Sequence, residues 1–138
     1  MNRILIADDK EENRFIIRNF LKLLGPDSMI EYFEAISAKD VLEKIPQVNP
    51  DLIFMDIKME SEDAGIKALE IIKANPDYKS IKVWALTAKQ IDIKEMSKKA
   101  KFDDLIMKPF DIAEMLTKVS EFFKIQIPEN VRAKMINQ

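Results

Sequence analysis

Two kinds of apolar pattern alternate along the chain. Short continuous runs, "RILIAD" (3–8), "MIEYF" (29–33), "DLIFMD" (51–56), "IKVWAL" (81–86) and "DLIM" (104–107), have the length and composition of strands. Between them lie longer stretches whose apolar residues recur at helical spacing: 10–24, 37–45, 65–74, 89–100 and 111–124. In the first of these, Phe15, Ile16, Phe20, Leu23 and Leu24 form the expected buried stripe, and Gly25-Pro26 ends it. Ser37 with Asp40 three residues on reads as a near capping box, and Asp111 as an N-cap. Asn75-Pro76 stops the third helix. The helix over 89–100 is polar, with Lys94, Lys98 and Lys99, then Lys101, interleaved with Asp92 and Glu95, the pattern of a solvated face. Trp84 reads as core, with a position three before Thr87 that suits a fluorescence reporter.

Strands that are apolar throughout and alternate with helices predict a parallel sheet covered on both faces. The fold class is therefore α/β, a flavodoxin-like doubly wound (βα)5 domain with strand order 2-1-3-4-5. Ligands in such folds sit beyond the carboxyl ends of the strands, where the order reverses between strands 1 and 3. The domain spans 1–124. Residues 125–138 form a short C-terminal tail, either helical over 129–137 or a mobile linker.

Polar residues close the apolar runs at those carboxyl ends. Asp8 and Asp9 follow strand 1, Asp56 ends strand 3, Thr87 follows strand 4 and Lys108 follows strand 5. Taken singly, each has an ordinary reading: a helix cap for Asp8 or Asp9, a surface acid for Asp56, a turn hydroxyl for Thr87, a loop entry for Lys108-Pro109. Taken together, the topology brings all five to one crevice. Three carboxylates against one ammonium call for a divalent cation, and oxygen donors suit Mg²⁺, with Mn²⁺ as the alternative. With that cation bound, Asp56 becomes a carboxylate nucleophile toward phosphorus, and Lys108 and Thr87 stabilise the charge of the transferred group.

Composition narrows the chemistry further. The 138 residues contain neither His nor Cys, which removes Ser-His triads, Cys nucleophiles and nearly every zinc site. A net charge of -2 offers no basic field for nucleic acid. No apolar run has the length of a membrane span, and "MNRILIADDK" lacks the core of a secretory signal, so a cytoplasmic location is expected. The turn "DDKEEN" is acidic where a flavin phosphate cradle would need Gly and backbone N–H groups.

"ILIADDKEENR", "DLIFMDIKM", "ALTAK" and "LIMKPF" together resemble the receiver domain of two-component response regulators, over roughly residues 2–124. The resemblance implies phosphoryl transfer from a histidine kinase or histidine phosphotransfer protein to Asp56, with weak autodephosphorylation and no classical enzyme activity. It implies Mg²⁺ held by Asp9, Asp56 and the Lys58 backbone carbonyl, and through water by Asp8. It implies a cis bond at Lys108-Pro109, a donor surface near Asn13, Arg14 and Ile17, and a downstream protein contact over 89–124. A monomer or weak dimer is expected. Three features depart from the family. Leu105 stands where an aromatic residue is usual. The loop "MESEDAG" (59–65) lacks the usual Pro and carries three acids, expected to face solvent. Lys58 and Lys89 occupy positions that tune dephosphorylation. The competing expectation is a phosphorylation-independent receiver-fold interaction module.

Overall fold

The computed structural model describes residues 2–88 and 100–136. All but the last residue of the helix expected over 89–100 lies outside them, and so does Lys89. Five parallel strands, β1 (Asn2–Ala7), β2 (Ile30–Ala35), β3 (Leu52–Asp56), β4 (Lys82–Thr87) and β5 (Asp104–Met107), form one sheet in the order β2-β1-β3-β4-β5. The described helices are α1 (Glu11–Lys22), α2 (Ala38–Val48), α3 (Ala64–Ala74), α4 (Ile112–Phe123) and α5 (Glu129–Ile136).

Side-chain alternation along the strands splits the core in two. Ile4, Ile6, Phe54, Trp84, Leu86 and Ile106 pack with α1, α4 and α5 on one face. Leu5, Ile53, Met55, Val83 and Ala85 pack with α2 and α3 on the other. The three central strands are closed on both faces, whereas the edge strands β2 and β5 remain mostly half-buried. Each large apolar side chain so buried stabilises the fold by about 1.5–3 kcal/mol.

Helix α1 buries only part of the expected stripe: Leu24 is in the core and Phe20 packs against it. Ile17, Leu21 and Leu24 face the sheet, together with Arg14, while Phe15, Ile16 and Leu23 are exposed. The reason is angular: residues 14, 17, 21 and 24 share one side at 100° per residue, and Phe15 projects away from it. The Arg18 guanidinium lies over the Phe15 ring, 5.6 Å from its centroid. Helix α2 continues past the expected end at 45 and includes Pro46, stopping where Asn49 adopts the left-handed conformation. The missing Pro46 N–H costs a bond only in the last turn. Ser37 accepts from the Asp40 N–H and Asp111 from the Ala113 and Glu114 N–H groups, so both N-caps form as the pattern predicts.

The tail forms α5 and packs back onto the domain. Ile127 and Val131 are buried in the first core cluster, with Ile125 and Met135 against it. Trp84 belongs to the same cluster, stacked on Phe54 and edge-on to Phe122, both at 5.6 Å. Thr87, three residues later, points to the other face of the strand. Trp84 therefore senses the packing of α4 and the tail more directly than events at Thr87.

Candidate functional site

The strand order sets β1, β3, β4 and β5 side by side, so their carboxyl ends open into one cleft of about 470 Å³. Asp9, Asn13, Asp56, Lys58, Thr87 and Lys108 are among its lining residues. Asp8 lies beneath it, fully buried, and Asp56 and Thr87 are nearly so. One carboxylate oxygen from each of Asp8, Asp9 and Asp56 lies within 4.8 Å of the others. The Lys108 ammonium reaches between the strands, 3.1 Å from Asp8 Oδ2 and 3.2 Å from Asp56 Oδ1. The Lys108 N–H donates to the Thr87 carbonyl at 2.8 Å, and the Lys108–Pro109 bond is cis.

Asp8 is held on every side. Its Oδ1 accepts from the Lys10 N–H at 2.9 Å and its Oδ2 from Asn13 Nδ2 at 3.1 Å. Its carbonyl accepts from Arg14 Nη1 at 2.7 Å. The N-cap position of α1 is Lys10, with no side-chain cap, so capping does not explain the acids. Burial, and next the neighbouring Asp8 charge, push the Asp56 carboxyl up to about 6, against the opposing pull of Lys108. A carboxylate in that situation is short of positive charge. The donor set is all oxygen, with the three carboxylates within reach of one another, and fits Mg²⁺.

The loop after β3 is built by a close approach. A Cβ on Gly65 would lie 2.2 Å from the Asp56 carbonyl oxygen, so only glycine lets α3 start against the end of β3. The Gly65 N–H donates to the Ile57 carbonyl at 2.8 Å. Among the loop acids, Glu62 is exposed, as expected, and Asp63 is half-buried. Glu60 is exposed too, and in addition caps a helix. Its carboxylate accepts from the Ala38 and Lys39 N–H groups at 2.8 and 3.3 Å, against the first turn of α2. An acid there meets unpaired helix amides and the positive end of the helix dipole. Lys58 pairs with Glu62 at 3.3 Å, so its ammonium is engaged along the loop. Leu105 is half-buried against the second core cluster, and its carbonyl accepts from Lys118 Nζ at 2.8 Å.

The surface expected near Asn13, Arg14 and Ile17 is corrected by burial at Arg14 and Ile17, while Asn13 lines the cleft. Ile17 is inaccessible, Arg14 points inward to the Asp8 carbonyl, and Asn13 donates to the Asp8 carboxylate. Arg14 shares the buried side of α1 with Ile17, Leu21 and Leu24, and a charged residue at that spacing was the available signal.

Comparison with known proteins places this geometry. A family model described as the response regulator receiver domain matches residues 4–120. The chain is 33% identical to the chemotaxis protein CheY of Thermotoga maritima, over 86% of this chain and 98% of the relative. It is 31% identical to protein PilG of Pseudomonas aeruginosa, over 83% and 82% respectively. Among solved structures, a CheY-like response regulator receiver domain protein from Methanospirillum hungatei superposes with TM-score 0.73 at 28% identity, covering 90% of this chain and 94% of that one. A chemotaxis response regulator, CheY4 of Vibrio cholerae, shares the fold with TM-score 0.74 at 21% identity, covering 88% of this chain and 98% of that one.

Proposed function

Because this chain belongs to the response regulator receiver domain family of two-component signalling, we propose that it is a phosphoacceptor switch with Asp56 as the acceptor. The donor is a phosphohistidine on a histidine kinase or phosphotransfer protein. The observation that carries this reading is the convergence of the buried Asp8, Asp56 and Thr87 with Asp9 and the half-buried Lys108 at one cleft.

Asp56 presents a carboxylate oxygen to the phosphorus of the donor. The new O–P bond forms as the P–N bond breaks, and the imidazole leaves with the electron pair of that bond. Asp8, Asp9, Asp56 and the Lys58 carbonyl would hold Mg²⁺, which supplies neutralising charge at the phosphoryl oxygens. Lys108 already lies 3.2 Å from Asp56, so its ammonium is placed to follow the negative charge from the carboxylate onto the phosphoryl group. The Thr87 hydroxyl, at the neighbouring strand end, donates to another phosphoryl oxygen. Its movement toward that oxygen alters the surface of residues 89–124, where the downstream protein binds. Leu105 has no hydroxyl to follow Thr87, so the readout rests on packing in the second core cluster. The location is cytoplasmic, the chain a monomer or weak dimer, and neither nucleic acid nor membrane is a partner. Among the described residues no helix is long and apolar enough to cross a membrane.

The test is intact-mass spectrometry after incubation with Mg²⁺ and acetyl phosphate. One phosphoryl group is expected, absent with EDTA and absent in Asp56→Asn. A wild-type protein that stays unmodified would point instead to a phosphorylation-independent interaction module.

A further inference from the structure

Arg14 is an unusual residue for its place. It stands on the buried side of α1, in line with Ile17 and Leu21, and its side chain is only 11% exposed. An apolar side chain would fill such a space without the desolvation of a charge. The guanidinium uses its full fork instead. Nη1 donates to the Asp8 carbonyl at 2.7 Å, Nε to Glu34 Oε1 at 2.9 Å and Nη2 to Glu11 Oε2 at 2.5 Å. Glu34 is on β2 and Glu11 opens α1, so the two glutamates balance the charge from either side.

The accepting carbonyl belongs to the peptide that joins Asp8 to Asp9. That unit is planar, so fixing the carbonyl direction also fixes where the Asp9 backbone leaves the strand. The Asp8 carboxylate has its own partners in Lys10, Asn13 and Lys108. Asp9, in contrast, is exposed at the cleft. We infer that Arg14 is the positioning residue of the acid pair: by holding the Asp8–Asp9 peptide, it sets both carboxylates toward a single divalent cation. The inference rests on the phosphoacceptor reading for its purpose, but concerns cation binding alone. Arg18 provides a built-in control. Its hydrogen bonds go to the same two glutamates, at 2.5 Å to Glu34 and 3.3 Å to Glu11, from one turn further along the helix.

The experiment is calorimetric titration of the full chain with Mg²⁺, for wild type, Arg14→Ala, Arg14→Lys and Arg18→Gln, with urea midpoints measured alongside. Removing a partner of the ligand shell typically weakens metal binding about 10–100-fold. The Arg14→Ala and Arg14→Lys proteins are expected to raise the Mg²⁺ Kd by about tenfold, because an ammonium cannot reproduce the fork. Arg18→Gln is expected to stay within about twofold. In acetyl phosphate reactions, the half-saturating Mg²⁺ concentration should rise for the Arg14 variants while the rate at saturating Mg²⁺ stays unchanged. If Arg14→Ala does not fold, Arg14→Lys carries the test. A folded Arg14→Lys protein with wild-type Mg²⁺ affinity overturns the inference, and so does an equal loss in Arg18→Gln. A wild type that binds Mg²⁺ but takes no phosphoryl group, with the Arg14 shift intact, upholds this inference and removes the phosphoacceptor reading.

Discussion

Asp56→Asn should stabilise the metal-free protein at neutral pH. The native carboxylate is raised from 3.8 to about 6, first by burial and then by the Asp8 charge. A group whose folded pKa lies above its unfolded value binds its proton more tightly in the native state. Its ionisation therefore destabilises the fold. The penalty is absent below the unfolded pKa, grows as pH rises through the interval to about 6, and is complete above it. The shift corresponds to about 3 kcal/mol, which partial screening through the cleft mouth reduces to about 2. The discount is modest because the Asp56 side chain is only 9% exposed. Asparagine removes the charge and leaves Lys108 paired with Asp8 at 3.1 Å. Urea denaturation in EDTA, on wild type and Asp56→Asn from pH 4 to 8, should give a gain of about 2 kcal/mol at pH 7.5, equivalent to roughly 7 °C in Tm. The difference should shrink toward zero near pH 4, where the native wild-type Asp56 is already protonated and the substitution removes no charge. Mg²⁺ should close the gap from the other side, by binding the wild type more tightly. A variant no more stable than wild type at pH 7.5, or a gain independent of pH, would refute the electrostatic account.

Two further changes test the frame of the site. Gly65→Ala places a methyl group 2.2 Å from the Asp56 carbonyl oxygen, so α3 or the end of β3 must shift; a loss of about 3 kcal/mol or more in urea denaturation is expected, with Mg²⁺ binding weakened in whatever folds. Val131→Ala removes buried methyl groups from α5 and should cost about 1–2 kcal/mol; because Trp84 shares that core cluster, its emission should respond to this substitution more than to Mg²⁺, and a wild-type midpoint would show that the tail does not pack on the domain.

Much of this protein is determined by the order of residue types alone. Five apolar runs separated by amphipathic stretches leave a doubly wound parallel sheet as the simplest way to bury both faces. Within that topology, Asp8, Asp56, Thr87 and Lys108 converge because each stands at the carboxyl end of a strand. Periodicity is local, and so is a strand end, which is why both can be read from the chain. Tertiary structure decided what depends on angle and on distant partners. The helix pattern of α1 could be rotated by a residue, and only contact with the sheet showed Ile17 and Leu21 facing inward and Phe15 outward. Arg14 looked like a surface cation until the Asp8 carbonyl and Glu34, 20 residues away in sequence, closed around it. Glu60 is the solvated acid the sequence suggested, but its bonds to the amides of α2 became visible only in the fold. The need for glycine at 65 arises from the Asp56 backbone, and the burial of Ile127 and Val131 from a core assembled by residues at the other end of the chain. A polar side chain carries no local mark of its partner, so its role becomes legible only when the fold has brought the two together.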